Sequence, residues 1–306
     1  MRVVLFAWCA TSAVYIDALC LVGAAPRLVV TGRGTSAAAV LADACKPIGV
    51  PVMHCDDVRD DAFFQLVAEA EPELLLVTGC PQRLPARLLS LPTLGAVNLH
   101  PSLLPHYRGR EPLFWALLRG ETHVGMSAHQ MTQELDAGPV LLQRPVEVPP
   151  RATSATLARD VERAGASLVV ELIARARAGA LGPVVTNDAA GTAFPRLRPE
   201  HGLVDWSRSA VEIDRLVRAA TGELEAYAFV HGMRVVLLVT QPIESDASRA
   251  PGTVIAITDA AVVIAAGHGA VACERFVFLR RVRSGRELAL DLAIAVGDRF
   301  SANPAF

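Results

Sequence analysis

The stretch Asn98-Leu99-His100-Pro101-Ser102-Leu103-Leu104-Pro105-His106-Tyr107-Arg108-Gly109 is the part of the chain on which the fold prediction rests. It follows a short apolar run, ending at Val97, that predicts a buried strand, and it then becomes rich in Pro. Asn98 and His100 are two positions apart, so both side chains point to one face at the end of that strand. In an open parallel sheet, ligands bind in the crevice outside the carboxyl ends of the strands. We therefore expect Asn98 and His100 to lie in a ligand site.

The segments before this stretch alternate between two kinds of pattern. Short apolar runs predict strands, and segments with helical spacing predict helices. The predicted strands are residues 2–7, 26–31, 50–53, 74–78 and 96–99, and the predicted helices are 11–23, 37–48, 60–70 and 85–89. This alternation predicts an α/β fold with a Rossmann-like, doubly wound parallel sheet. No Gly-x-Gly-x-x-Gly follows the first strand, so a dinucleotide cofactor is not indicated.

The rest of the chain predicts the end of this first domain, followed by a linker and a second domain. A helix is expected at 111–119, two hairpin strands at 124–131 and 140–148, and a long helix at 154–177. Residues 182–202 are rich in Pro, Gly, Asn and Arg, which is typical of a linker. A helix at 209–220 and short strands at 226–230, 234–239, 252–257, 261–265 and 270–278 then indicate a small barrel or sandwich. We expect domains at 1–181 and 204–306, joined by a linker at 182–203.

Composition narrows the class of protein. The 306 residues are 52% hydrophobic and 20% charged, with a mean hydropathy of +0.36, which is typical of a globular chain. A net charge of -2 and a pI near 6.5 give no overall electrostatic reason to bind nucleic acid. No apolar run reaches the roughly 18 residues of a membrane span. The six cysteines are scattered without Cys-x-x-Cys spacing, so we expect reduced thiols and a cytoplasmic location.

Three polar residues are the candidate catalytic groups: Asn98, His100 and Asp136. Each alone has a structural alternative, since a strand-end histidine, a backbone-bound Asn and an Asp-Ala-Gly turn are all common without function. Together they suit a proton-coupled acyl transfer. His106 lies six positions after His100 without a Cys or carboxylate framework, so no metal site is expected.

Three ordered motifs resemble the family of 10-formyltetrahydrofolate-dependent formyltransferases. They are Ala96 to Pro105, then Arg108-Gly109, then Asp136-Ala137-Gly138-Pro139, with Gly125 to His129 matching the strand that enters the Asp loop. In the second half, Val204 to Ser207, Arg218 to Ala220 and Pro251 to Thr253 are similar to the C-terminal domain of the tRNA and amino-sugar branches. The resemblance covers most of the chain. It implies the formyltransferase fold followed by a smaller β-rich, OB-like domain.

The resemblance also implies a reaction. A formyl group would move from a folate nitrogen to a substrate amine through a tetrahedral oxyanion. Asn98 would donate to this oxyanion, His100 would donate or pass a proton, and Asp136 would orient the imidazole or take the amine proton through a water. The residues expected to bind 10-formyltetrahydrofolate are Thr78, Gly79, Cys80, Arg83, Leu84, Ser102, Leu103, Leu104, Arg108 and Gly138. No metal is implied.

The sequence identifies the formyl acceptor less clearly than the formyl donor. The tRNA enzymes carry a basic insertion after the second strand, whereas here Gly32 to Asp43 holds Arg33 as its only positive charge, and Lys46 is the only lysine of the chain. These departures favour a small-molecule amine over nucleic acid. A nucleotide-linked amino sugar is the first candidate because Arg196 to Trp206 is closest to that branch. An amino acid or secondary-metabolite amine, methionyl-tRNA, water (a hydrolase) and a silent folate-binding module stay open, as does a homodimer.

Overall fold

The computed structural model describes residues 1–183, 187, 191–222, 224–245 and 249–304, which form two compact units. The first unit contains Met1–Pro112, Thr122–Val148 and Leu157–Pro195, and the second contains Leu113–Glu121, Pro149–Thr156 and Arg196–Phe306. Residues 184–186 and 188–190 of the predicted linker, and 223, 246–248 and 305–306 of the predicted second domain, lie outside the described residues. The boundaries at 181 and 204 stay a prediction. Within the described ranges, no helix has both the length and the apolar character needed to cross a bilayer.

A seven-stranded sheet forms the centre of the first unit. Its strands, in order of sequence, are β1 (Val3–Ala7), β2 (Leu28–Thr31), β3 (Val52–His54), β4 (Leu74–Thr78), β5 (Ala96–His100), β7 (His123–Gln130) and β8 (Val140–Glu147). Their spatial order is β3-β2-β1-β4-β5-β7-β8. The two-residue strands β6 (Arg108–Gly109) and β9 (Ala193–Phe194) pair separately, in parallel. The predicted Rossmann-like sheet is confirmed. It differs at one edge, where β7 pairs antiparallel with β5 and also with β8, its hairpin partner.

Four helices of the first unit connect its parallel strands: α1 (Ala13–Leu21), α2 (Ser36–Cys45), α3 (Asp61–Glu69) and α4 (Ala86–Leu89). Most of α6 (Ser154–Arg177), which follows β8, also belongs to this unit. Side-chain caps set two of the starts, since the side chains of Thr35 and Asp60 accept hydrogen bonds from the backbone of α2 and α3. Strands β1, β2 and β4 are buried along their whole length, as expected for parallel strands that are covered on both faces.

One face of this sheet determines where the polar residues lie. A buried apolar cluster there includes Val4, Phe6, Val77 and Ala96. Because side chains alternate along a strand, Asn98 and His100 share the face of Ala96. They extend that face from the apolar core to the carboxyl end of β5.

The second unit is built on an antiparallel sheet. Its elements are α5 (Pro112–Arg119), α7 (Ala210–Ala219), β10 (Ala226–Val230), β11 (Met233–Ile243), β12 (Val254–Ile257), β13 (Val262–Ala265), β14 (Ala270–Phe278), β15 (Arg281–Ser284) and α8 (Gly285–Asp291). The strand order is β10-β11-β14-β13-β12, with β15 on β14. The smaller β-rich domain is confirmed. The strand β15 and the helix α8 were not predicted, although Ser284 and Glu287 form a capping box that the sequence displays.

The sheet of the second unit has its two edge strands joined by one segment. Ser301 exchanges backbone hydrogen bonds with Phe229 of β10, at 2.8 and 2.9 Å. On the other edge, Phe300 donates to the carbonyl of Gly252 (2.8 Å), and Val254 of β12 donates to that of Asp298 (2.8 Å). The segment 297–301 therefore closes the sheet on itself, which removes the exposed edges that an open sheet would present.

Candidate active site

Four polar side chains meet at the carboxyl end of β5. Asn98 and His100 lie on β5, His129 is the register partner of Asn98 on β7, and Asp136 lies in the turn between β7 and β8. Asp136 Oδ2 is 3.7 Å from His100 Nδ1, and Asp136 Oδ1 is 3.5 Å from Asn98 Nδ2 and 3.6 Å from His129 Nε2. Asn98 Nδ2 is also 3.1 Å from His129 Nε2. The structure brings the three candidate catalytic residues together and adds His129 to them.

The turn that carries Asp136 is tightly held. Asp136 has a left-handed φ of +50°, and the amide of Gly109 donates a 2.9 Å hydrogen bond to its Oδ2. A Cβ at Gly138 would lie 1.8 Å from the carbonyl oxygen of Gln130, so only glycine fits there. Gly138, expected in the folate site, therefore acts on the shape of this turn.

The hydrogen bonds of His100 fix its tautomer. His100 Nε2 is 2.9 Å from the carbonyl oxygen of Tyr107. A carbonyl can only accept, so Nε2 carries the hydrogen and Nδ1 of the neutral ring holds a lone pair on the side of Asp136. Burial lowers the pKa of His100 below its ordinary value of 6.5, although the Asp136 charge opposes this. The ring is therefore neutral near pH 7 and able to accept a proton.

Asp136 has the opposite protonation state. Burial by itself would raise its pKa, but the nearby imidazoles of His100 and His129 and the hydrogen bond from the Gly109 amide together hold the pKa of Asp136 at about 2. Asp136 is thus a buried carboxylate beside a neutral imidazole. Such a pair suits proton transfer, since a proton accepted by His100 is stabilised by the charge of Asp136.

His129 is the site residue that sequence reasoning missed. Its Nδ1 is 3.1 Å from the carbonyl oxygen of Gln130, so Nδ1 carries a hydrogen, and Nε2 accepts from the Asn98 amide. The side chain is almost fully buried, at 2% exposure of the residue. Alternation along β7 was the available signal, but only the register of β7 on β5 shows that His129 faces Asn98.

The loop after β5 is held by internal hydrogen bonds. Ser102 Oγ donates to the carbonyl of His106 (2.8 Å), and Ser127 Oγ donates to the carbonyl of Ser102 (2.6 Å). The amide of Leu104 donates to Ser127 Oγ (3.1 Å). Ser102 and Leu104 are both buried, so here they stabilise the loop.

Leu103 and Arg108, from the same loop, contact two other parts of the unit. Leu103 packs against Gly125 of β7, where an added Cβ would lie 2.5 Å from Leu103 Cδ2. Arg108 Nη2 donates to the side chain of Asn187 (2.7 Å) and to its carbonyl (2.9 Å). Their contribution to folate binding stays a prediction.

The remaining predicted folate residues lie after β4, the strand next to β5. Thr78 is the buried last residue of β4, and Gly79 has a left-handed φ of +61°. Cys80 is half-buried, and burial raises the pKa of its thiol to about 11, so it stays protonated. Arg83 is exposed, whereas Leu84 belongs to the buried apolar cluster. The side chain of Leu84 is thus directed into the core.

In the part of the chain that the structure describes, no three His, Cys, Asp or Glu side chains are placed so that they could hold a metal ion.

Comparison with known proteins gives consistent matches in sequence and in fold. A family model described as formyl transferase matches residues 9–173, and one described as its C-terminal domain matches residues 196–283. The methionyl-tRNA formyltransferase of Pelobacter propionicus is 36% identical over 222 residues, which are 72% of this chain and 69% of that protein.

Two solved structures share the fold at low identity. HypX from Aquifex aeolicus in complex with tetrahydrofolic acid has a TM-score of 0.69 at 21% identity, covering 97% of this chain and 48% of that one, so this chain spans about half of HypX. The N-formyltransferase from Helicobacter canadensis, in complex with folinic acid and dTDP-3-aminofucose, has a TM-score of 0.66 at 12% identity, covering 90% and 99%.

The N-terminal family model alone spans more than half of the chain, and the second model covers most of the second unit's sheet. Members of this family use 10-formyltetrahydrofolate as their one-carbon donor. The chain therefore belongs to the formyl transferase family and is a folate-dependent formyltransferase.

Proposed function

We propose that this enzyme moves the formyl group of 10-formyltetrahydrofolate to a primary amine of a small molecule, with a nucleotide-linked amino sugar as the first candidate. The observation that carries the chemistry is the contact of Asp136 with both Asn98 and His100 at the end of β5. These groups supply a hydrogen-bond donor, a proton acceptor and a charge next to one another.

The proposed reaction needs no covalent enzyme intermediate. The amine nitrogen attacks the formyl carbon, and the carbonyl oxygen becomes an oxyanion as the new C–N bond forms. The Asn98 amide has two hydrogens. One is donated to His129 Nε2, with a distance of 3.1 Å between the nitrogens, and the other faces Asp136 Oδ1 in a long contact of 3.5 Å. The hydrogen in the long contact is weakly bonded, so it is the one that is available to donate to the oxyanion.

The proton of the attacking amine has a defined acceptor. Neutral His100 takes it at Nδ1, and the Asp136 carboxylate, 3.7 Å away, stabilises the resulting imidazolium. Collapse of the intermediate breaks the bond to folate N10, which receives a proton and leaves as tetrahydrofolate. His100 and Asp136 are each at most 7% exposed, and exclusion of water strengthens both electrostatic effects.

The basic residues of the chain support a small acceptor, since Lys46 is its only lysine and four arginines of the second unit are paired with carboxylates. Asp214 binds both Arg151 and Arg218, Glu225 binds Arg234 and Asp291 binds Arg283. Tight binding of tRNA depends on basic groups that neutralise phosphates. The Helicobacter canadensis enzyme, which shares the fold, is a case in which the bound amine is a sugar nucleotide.

Initiator tRNA is the second candidate, and one observation favours it. The relative at 36% identity is named a methionyl-tRNA formyltransferase. Salt dependence separates the two, because binding of a polyanion weakens steeply with salt whereas a sugar nucleotide responds weakly.

The test is an assay of 10-formyltetrahydrofolate against sugar-nucleotide amines, amino acids and charged initiator tRNA, with mass spectrometry of each acceptor. We expect one formyl group on a sugar nucleotide, with turnover that changes little as salt is raised. A formylated tRNA would replace the small-molecule proposal, and formate as the sole product would identify a hydrolase.

Two histidine variants test whether formyl transfer depends on the candidate active site. His100→Ala should lower turnover by roughly two to four orders of magnitude. His123→Ala removes an exposed histidine from β7 and should leave turnover unchanged, so it is the matched control.

A further inference from the structure

A segment that the sequence predicts as linker contacts the candidate active site directly. We call Asn187 together with residues 191–194 the crossing segment. Asn187 Nδ2 donates to the carbonyl oxygens of Asp136 (2.7 Å) and Gly138 (2.8 Å), and its Oδ1 accepts from Arg108 Nη2 (2.7 Å). Both amide hydrogens are therefore committed to the turn that carries Asp136.

The other end of the crossing segment holds the residue that orients His100. Thr192 Oγ1 accepts from the amide of Tyr107 (2.9 Å), and the ring of Phe194 stacks on that of Tyr107, with centroids 5.1 Å apart and planes 12° apart. The carbonyl of Tyr107 is in turn the acceptor for His100 Nε2. The segment thus fixes the group that sets the tautomer of His100.

Two glycines allow the backbones to come this close. A Cβ at Gly191 would lie 1.9 Å from the carbonyl oxygen of Pro105, and one at Gly109 would lie 2.8 Å from that of Phe194. Gly109 also donates its amide to Asp136 Oδ2, while Arg108 and Gly109 pair with residues 193 and 194 as β6 and β9. The contact is a packed interface with matched donors and acceptors.

We infer that Asn187 is a positioning residue for the reaction, holding the Asp136 turn so that the carboxylate faces His100. This inference rests on the proposed function, since it gives Asn187 its role through Asp136. The turn is strained at Asp136, which has a left-handed φ of +50°, and such conformations persist only where surrounding contacts fix them. Without the Asn187 donors, two buried carbonyls lose their partners and the turn relaxes away from His100.

Asn187→Asp is the sharpest variant because it keeps the size and the acceptor for Arg108 but replaces the donor with an acceptor that faces two carbonyls. We expect kcat, measured with the amine that the acceptor panel identifies, to fall roughly tenfold to a hundredfold. The dissociation constant for folinic acid, an unreactive folate, should change by less than about threefold. General unfolding, in contrast, would weaken folate binding as well as turnover. Asn187→Gln retains the carboxamide, so its turnover should exceed that of Asn187→Ala. Asn303→Ala, which removes an asparagine outside the candidate active site, is the control and should leave turnover unchanged.

A second readout needs no acceptor. Long-range ¹H–¹⁵N spectra of the imidazoles follow the titration of His100, which should move to lower pH in the uncharged variant Asn187→Ala because Asp136 no longer raises the pKa of His100. A variant that is folded and shows unchanged kcat and unchanged titration overturns the inference.

Parallel variants separate this inference from the proposed function. If His100→Ala and Asp136→Asn also retain full turnover, the catalytic roles that the proposed function gives to His100 and Asp136 are wrong. If those two lose turnover while the Asn187 variants keep it, only the positioning role is wrong. Should Asn187→Asp not fold, Asn187→Ala decides through kcat and the His100 titration, since it also removes both donors to the Asp136 turn.

Discussion

At the scale of single residues, the site depends on two groups with different charge states in one buried place. Asp136 is ionised because His100, His129 and the Gly109 amide outweigh its burial, whereas His100 is neutral because burial outweighs the Asp136 charge. Neither state follows from residue type alone. Together they assign proton acceptance to His100 and charge stabilisation to Asp136.

Asp136→Asn tests this assignment through the pH profile. The carboxylate raises the pKa of His100, so its removal should move the acid limb of kcat, which lies below pH 6.5, to still lower pH. The maximal kcat should fall roughly a hundredfold or more because the imidazolium loses its counter-charge. Steady-state rates between about pH 4 and pH 9 provide the measurement, and an acid limb that moves upward would contradict the assignment.

Glu162 gives a second prediction at this scale. It lies on α6 with 9% exposure, and burial raises its pKa, although a hydrogen bond from Thr11 Oγ1 opposes the shift. A folded-state pKa above the unfolded one means that stability is complete below the unfolded pKa and is lost as pH rises through the folded pKa.

Glu162→Gln removes this ionisation, so the variant should match the wild type near pH 4 and become the more stable protein towards pH 8. Each kcal/mol of difference corresponds to about 2–4 °C in Tm for a unit of this size. Thermal melts of both proteins across that pH range provide the measurement. A Tm difference that does not grow with pH would refute the interpretation.

At the scale of elements, closure of the second unit's sheet depends on the segment 297–301. Phe300 is 1% exposed, its ring lies 5.8 Å from that of Trp206, and it stacks near Phe276 of β14 at 6.5 Å. Its backbone pairs with Gly252 at one edge of the sheet. One side chain thus anchors the segment that joins both edges to the core.

Phe300→Ala should therefore lower the free energy of unfolding of the second unit by about 3–5 kcal/mol, through lost burial and a residual cavity. Trp206 fluorescence during urea unfolding reports on this unit because Trp206 contacts Phe300 directly. Leu290→Ala, at a helical residue that is 74% exposed, should cost less than about 0.5 kcal/mol. Similar costs for the two variants would mean that Phe300 does not anchor the closure.

At the scale of the whole molecule, the second unit is assembled from three parts of the chain. Helix α5 and residues 149–156 belong to it together with 196–306. Trp115 of α5 lies 5.2 Å from the ring of His201, and Arg151 binds Asp214, which is 2% exposed. The second unit is therefore not one continuous stretch of sequence.

A fragment of residues 196–306 should consequently be less stable than the same unit in the full chain. It lacks the apolar residues of α5, several of which are buried, and it leaves Asp214 with one fewer cation. Circular dichroism melts and binding of a hydrophobic dye compare the fragment with the full chain. An equal midpoint and no dye binding would show that 196–306 folds independently.

Local patterns predicted the secondary structure well where the pattern was long or strongly apolar. The bounds of β4 (Leu74–Thr78), α6 (Ser154–Arg177) and β14 (Ala270–Phe278) coincide with the predicted ranges. The elements that the sequence did not predict, β6, β9, β15 and α8, are short. Their stability comes from contacts with distant segments, which no local periodicity records.

The sequence by itself determined that Asn98 and His100 share one face at the end of a buried strand, because the pleat of a strand depends only on neighbouring residues. It also placed Asp136 in a turn, through the local preferences of Asp and Gly. Only the tertiary structure decided that Asp136 reaches His100, that His129 faces Asn98 and that Asn187 holds the turn. Those contacts join residues 31 to 51 positions apart. They depend on strand order and register, which are set by the packing of the whole sheet.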